Sequence, residues 1–234
     1  MIRRTPIQVK QNHISQMGEE LGSVYTAICD EVTLIHIKWD EYMTLFSKKP
    51  RVELLNKAAP GFFMLIQRVL FDDLVLSLAR LTDPVETKIS RSIKKDNLTV
   101  QRLPLLLGNP EKRSRLQILI DSVIKETAFC RDRRNRALAH KDLALSLEKD
   151  GVTPLEHVTT EKIAKALSAL AEIVKYMCKE YFNSDFSFDK IIRNGGADHL
   201  IYTLHDGMLR DEEKKLRAKM GKSQISDRFP EDLC

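Results

Sequence analysis

The chain has little that makes turns: nine glycines and eight prolines in 234 residues. That scarcity argues against a fold of many short strands joined by tight turns. No run alternates apolar and polar for more than four residues. Apolar runs of membrane-spanning length are also missing, so no bilayer span is expected. The N-terminal stretch, Met1 to Gln8, lacks the apolar core of a secretion signal. The four cysteines (Cys29, Cys130, Cys178, Cys234) are scattered, with no CxxC pair and no zinc spacing. A soluble protein of a reducing cytoplasm is the expectation, with neither a disulfide framework nor a metal centre. There is no glycine loop to cradle phosphates, no nucleophile elbow and no kinase signature, which removes the commonest nucleotide-hydrolysing and serine-hydrolase classes.

What is present is helical periodicity. Ile14, Met17, Leu21, Tyr25, Ile28, Val32, Ile35, Trp39, Tyr42 and Phe46 recur at spacings of three and four, which predicts one helix over 14–47. A short helix over 52–59 leads to Pro60, a residue suited to a first helical turn. The helix over 61–81 is apolar around most of its circumference and reads as the central core helix, stopped by Thr82, Asp83 and Pro84. Residues 84–97 read as a polar loop and 98–107 as a short helix. Pro110 opens a longer helix, and residues 141–158 form a loop. Thr159 caps a helix to about Phe182, and a last, highly charged helix begins near Asp198. The fold class expected is all-α. It is an antiparallel helical bundle over 1–185 with a C-terminal helical appendage and polar tail over 186–234. No 30–45-residue repeat is present to suggest a solenoid.

A net charge of +5 is only mildly basic, but its distribution is uneven. Arg131, Arg133, Arg134, Arg136 and Lys141 crowd around one acid, Asp132, and the segment reaches His140. Guanidinium groups present several donors in a planar fork that matches phosphate oxygens. Histidine is the side chain best suited to exchange a proton near neutral pH. Cations beside a titratable imidazole are enough to cleave RNA without a metal. The bland alternative is a basic helix C-terminus that complements the macrodipole. At about 100° per residue, a straight helix would bring His140 to the azimuth of Arg133 and Arg136 rather than Arg134. In the core helix, Asp73 or Arg80 could orient the histidine from a neighbouring element. His199 and His205, six apart, do not make a metal pair, and His13, His36 and His157 carry no motif.

Arg134, Asn135 and His140 resemble the arginine–polar–histidine motif of the HEPN superfamily. The flanking Ala139, His140, Lys141 and Asp142, with the string Leu76 to Asp83, are similar to the branch related to the AbiU abortive-infection proteins. Five residues separate Arg134 from His140 where many members have four, so Arg133 and Arg136 stand beside Arg134 as candidate cations. The resemblance covers most of 10–185. It implies a helical bundle that forms a homodimer, with two motifs making one composite site. It also implies a metal-independent endoribonuclease, typical of toxin–antitoxin or phage-defence systems, with no cofactor and with an antitoxin or regulatory protein as a partner. Its catalytic residues would be Arg134, Asn135 and His140, with Arg131, Arg133, Arg136 and Lys141 on RNA phosphates. The competing expectation is a non-catalytic RNA-binding, nucleotide-binding or dimerisation module on the same bundle.

Overall fold

A computed structural model describes residues 5–88, 90, 93–188 and 195–224. The described chain is almost wholly helical: α1 (Pro6–Met17), α2 (Glu19–Phe46), α3 (Lys49–Ala58), α4 (Pro60–Leu81), α5 (Pro110–Glu126), α6 (Ala128–Arg133), α7 (Leu143–Ser146), α8 (Thr160–Phe182) and α9 (Ala197–Lys219). A 3₁₀ helix (Val100–Leu106) lies between α4 and α5, and a π-helical turn (Arg134–Leu138) follows α6. The all-α class read from periodicity is the class observed.

Local chemistry sets the boundaries. Thr5 and Gln8 form a reciprocal capping box at the start of α1. The single helix expected over 14–47 is two, because Gly18 at φ +86° ends α1 and α2 restarts on Glu19 and Glu20. Pro50 opens α3 rather than closing α2, since a first helical turn needs no N–H there. Asn109 caps α5, its Oδ1 accepting from the Lys112 N–H at 3.0 Å. Thr159 caps α8 in the same way, and Asn183 ends it in the left-handed region.

By its packing the chain divides into two compact units, one of residues 1–39 and 70–191, the other of residues 40–69 and 192–234. In the first unit, Tyr25, Ile28, Val32 and Ile35 of α2 are buried with Leu74, Val75 and Leu78 of α4. Leu116, Ile120 and Val123 of α5, and Ile163, Leu170 and Val174 of α8, complete that core. Helices α5 and α8 pack against each other, and the Tyr25 hydroxyl donates to the Val174 carbonyl at 3.1 Å, tying α2 to α8. The α1 backbone crosses α2 so closely at Gly22 that a Cβ there would lie 2.6 Å from Ile14 Cα. Only glycine permits that approach.

The second unit packs α3 against α9. Arg51 pairs with Asp198 at 3.0 Å, and the Glu41 carboxylate accepts the Ala197 N–H at 2.5 Å, capping α9. Gly196, at φ +103°, leaves room for that carboxylate.

The loop expected over 84–97 holds a short antiparallel hairpin, β1 (Glu86–Lys88) with β2 (Lys94–Asp96), in the register Glu86↔Asp96. Three-residue strands are too short to show an alternating pattern. The hairpin is held by charge and side-chain bonds instead, with Lys94 on Glu86 at 2.6 Å and Arg102 on Asp96 at 2.6 Å. Asn97 donates to the Pro84 carbonyl at 2.8 Å and to Thr87 Oγ1 at 2.7 Å. No helix among the described residues is long and apolar enough to cross a membrane.

Candidate functional site

The motif does not lie on a straight helix. Thr127 ends α5, α6 runs one and a half turns, and the backbone then widens into the π turn. There the Ala139 N–H donates to the Arg134 carbonyl, five residues back, at 2.8 Å, and the Asp142 N–H reaches the Arg136 carbonyl at 3.0 Å. Such π turns are rare and concentrate at functional sites. The azimuths expected of a straight helix therefore fail: the turn that carries Arg134 and Asn135 has its own geometry, and the helix is over before His140.

Beneath this turn lies a layer of buried hydroxyls, Thr82, Thr99 and Thr127, each no more than 1% exposed. Thr99 Oγ1 sits 2.9 Å from the Leu81 carbonyl and 2.7 Å from that of Asp83. Gln101 Nε2 donates to the carbonyls of Thr82 and Asp83, both at 3.0 Å. Thr127 Oγ1 lies 3.0 Å from Thr82 Oγ1 and bonds back to the Val123 carbonyl at 2.7 Å. The exit of α4, and with it Asp83, is thus pinned by the capped 3₁₀ helix and by the end of α5.

Asp83 is the carboxylate that meets the motif. Its Oδ2 receives Arg134 Nη1 in a close ion pair, with both side chains mostly buried. Arg134 Nε donates to Asn135 Oδ1 at 3.0 Å. Arg134 Nη2 makes no hydrogen bond among the described residues, so one edge of the fork keeps its donors.

The other arginines are placed differently. Arg131, expected at phosphate, points into the molecule: Nη2 donates to the Ile124 carbonyl at 2.8 Å, and Nη1 to Thr82 Oγ1 at 3.1 Å, with longer contacts to the Thr82 carbonyl and Thr127 Oγ1. Arg133 lies over the Phe71 ring, 5.5 Å from its centroid, and 3.8 Å from Asp72. Arg136 is held by Asp132 at 3.3 Å, Asp142 at 3.7 Å and the Thr153 carbonyl at 2.5 Å. Asp142 also caps α7 through the N–H groups of Ala144 and Leu145. These bonds, that to Leu145 foremost, hold its carboxyl below the ordinary carboxylate range. Asn135, His140 and Lys141 are exposed.

Arg134, Asn135 and Asp83 are therefore brought together, as are Arg136, Asp132 and Asp142. His140 makes no hydrogen bond, ion pair or ring contact among the described residues. Neither Asp73, which pairs with Lys38 at 2.5 Å, nor Arg80, which donates to Ser77 Oγ at 3.2 Å, reaches it. Asp83 carried a sequence signal as the end of the helix-stop string and of the Leu76–Asp83 resemblance, Asp72 only as one charge on the apolar core helix, and Thr127 carried none. The electrostatic picture changes accordingly. Five cations faced one acid in sequence; in space, Asp72, Asp83, Asp132 and Asp142 all stand among them.

Among the described residues, no group of three or more His, Cys, Asp or Glu side chains could hold a metal ion. The described cysteines are free, and desolvation pushes the thiols of Cys29 and Cys130 up to about 12, which leaves them inert as nucleophiles.

No curated protein and no solved structure shows significant similarity to the chain. A family model does match: AbiU2, of the HEPN superfamily, over residues 18–200. That span takes in the core helices, the pinned exit of α4, the π turn and the motif. The chain belongs to the HEPN superfamily, in its AbiU2 abortive-infection branch.

Proposed function

We propose that this abortive-infection protein acts as an endoribonuclease, cleaving single-stranded or looped RNA by attack of a ribose 2′-hydroxyl on the adjacent phosphate. Flexible single strands can reach the in-line geometry and expose their bases. The observation that carries this reading is the division of labour around the π turn. One arginine is held rigidly with a donor edge left over, and one exposed histidine makes no hydrogen bond, ion pair or ring contact among the described residues. Arg134, fixed by Asp83 and Asn135, directs Nη2 at a phosphate oxygen and stabilises the charge that builds on the phosphorane-like transition state. His140 exchanges the proton, as base toward the 2′-hydroxyl or as acid toward the leaving 5′-oxygen. The bond formed is 2′-oxygen to phosphorus, the bond broken is phosphorus to 5′-oxygen, and the products are a 2′,3′-cyclic phosphate and a 5′-hydroxyl.

A homodimer suits this chemistry, because His140 makes no hydrogen bond or ion pair among the described residues and a second copy would bring a cation to it. Arg131 serves as a brace rather than a phosphate ligand. Lys141 and the outer faces of Arg133 and Arg136 steer the backbone. A protein that masks this surface would act as the antitoxin or regulator.

The test is purified wild type against His140→Ala on a labelled RNA pool with chelator present. Wild type should yield cyclic-phosphate ends and leave DNA uncut, and the variant should be slower by about 10²–10⁴-fold. A variant that cuts at the wild-type rate removes His140 from the mechanism. Retention of intact RNA by both proteins, with salt-sensitive affinity and no products, would instead establish the binding module.

A further inference from the structure

A cavity of about 270 Å³ opens beside the motif, lined by Glu31, Arg80, Leu81, Asp83, Asn97 and Leu98. Asp83 joins it to the site: one carboxylate oxygen holds Arg134, while the other, Oδ1, is buried and has no partner among the described residues. Sealed from solvent, this oxygen is not reached from the cavity and instead adds negative charge behind its wall. Glu31, also in the lining, makes no hydrogen bond or ion pair among the described residues. Both donors of the Asn97 amide go to Pro84 and Thr87, which leaves its carbonyl oxygen as a further acceptor. Leu81 and Leu98 add apolar surface, and Arg80 adds one cation.

We propose that this cavity is a base-specificity pocket and that the base it takes is guanine. The purpose of the pocket rests on the ribonuclease reading above; its ligand chemistry does not. The volume falls just below the 300–1,000 Å³ usual for drug-sized ligands and suits one planar base. Ionised carboxylates accept and never donate, so the pocket selects for donors. Guanine sets its ring N1–H and its exocyclic amine side by side, and two parallel N–H groups match one carboxylate. Adenine and cytosine place a ring acceptor beside their amine, and uracil flanks its single N–H with two carbonyls; each would press an oxygen or nitrogen lone pair against Glu31 or the Asn97 amide oxygen. Arg80 complements the remaining acceptor edge of guanine, O6 and N7. Sites built to hydrogen-bond a donor reject analogues lacking it, because their own buried groups then go unpaired. Asp83 would link the two sides of the same nucleotide, holding the phosphate-binding arginine with one oxygen and lending the base pocket negative charge with the other.

The experiment is calorimetric titration of the full chain with guanosine, adenosine, cytidine and uridine 3′-monophosphates at one ionic strength, alongside sequencing of RNA cleavage ends. Guanosine monophosphate should bind at least tenfold tighter than the other three. Glu31→Gln should bring the four to parity, and Leu98→Trp, at a partly exposed wall position that tolerates bulk, should block all four while the thermal melt stays near wild type. Parity among the four in wild type, or no binding by any, overturns the pocket. Guanosine-selective binding with no cleavage of any RNA keeps the pocket and removes the ribonuclease. Cleavage without base preference, with parity in binding, does the reverse.

Discussion

Replacing Arg131 with methionine separates a brace from a phosphate ligand. Methionine keeps the length and packing of the stem and removes all five donors. Two of the bonds lost are short, to the Ile124 carbonyl at 2.8 Å and to Thr82 Oγ1 at 3.1 Å. Hydrogen bonds from a charged donor contribute about 1.5–3 kcal/mol each when desolvated, and this side chain is only half-buried, so about 3 kcal/mol for the pair is a fair sum. The cation also sits at the C-terminal end of α5, where it complements the last carbonyls of that helix. For a cooperative unit of 150–250 residues, about 3 kcal/mol lowers the melting temperature by about 6–12 °C. Two assays decide the matter: a thermal melt, and RNA affinity against salt in a His140→Ala background that leaves the RNA intact. The brace predicts a large drop in melting temperature and an unchanged salt slope. A phosphate ligand predicts the opposite, an unchanged melt and a slope shallower by about 0.7 for single-stranded RNA. That second outcome would refute the reading of the hydroxyl layer beneath the π turn.

Two further substitutions probe the scaffold. Gly22→Ala should cost about 1–3 kcal/mol in urea unfolding, because its Cβ would collide with the α1 backbone at 2.6–2.8 Å and overpacking of this kind is not relieved by rotamer change. In Gly207→Ala of α9 the new methyl meets open space, so it should instead gain up to about 1 kcal/mol from helix propensity; equal effects at the two sites would deny the close crossing. His13 supplies a pH dependence: burial, only partly offset by Asp30, lowers its pKa below 6.5. The unfolded chain then binds its proton first, so stability is fully present above pH 6.5 and falls as pH drops toward the folded value. His13→Gln should flatten the difference in unfolding free energy between about pH 7 and pH 5, and an unchanged difference would clear His13 of that role.

Much of the scaffold was legible because helices announce themselves twice, by apolar period and by cap chemistry. Thr159 before α8 and Pro60 in the first turn of α4 were each readable from residue type alone. What escaped was decided by backbone geometry or by long-range pairing. Gly18 sits inside an unbroken apolar period, and only its positive φ divides α1 from α2. The hairpin at 86–96 has strands too short for an alternating pattern and is held by Lys94 and Arg102 instead. The π turn has no composition of its own, since five residues with i→i+5 bonding look like five residues of any helix. The motif could be picked out as a string of residue types, but its neighbours could not: Asp83 lies 51 residues before Arg134 in sequence and touches it in space.

That pairing reverses the simplest picture of the site. A cluster of arginines in sequence suggests an open cationic surface waiting for phosphate, yet three of the four stand against carboxylates and the fourth is turned inward. An exposed arginine carries about 2 kcal/mol of rotamer entropy, which a free cluster would have to give up on binding each phosphate. Carboxylate partners impose that ordering in advance, at the expense of net positive charge. The exchange suits catalysis better than storage of RNA, because what lowers a barrier is a donor already aimed at the charge that develops, not the depth of the ground-state field. On this reasoning the acid at the exit of α4 belongs to the motif as much as the arginine does. On the proposed ribonuclease reading, the buried threonines that hold Asp83 would be part of the machinery that aims Arg134, although none of them would meet the RNA.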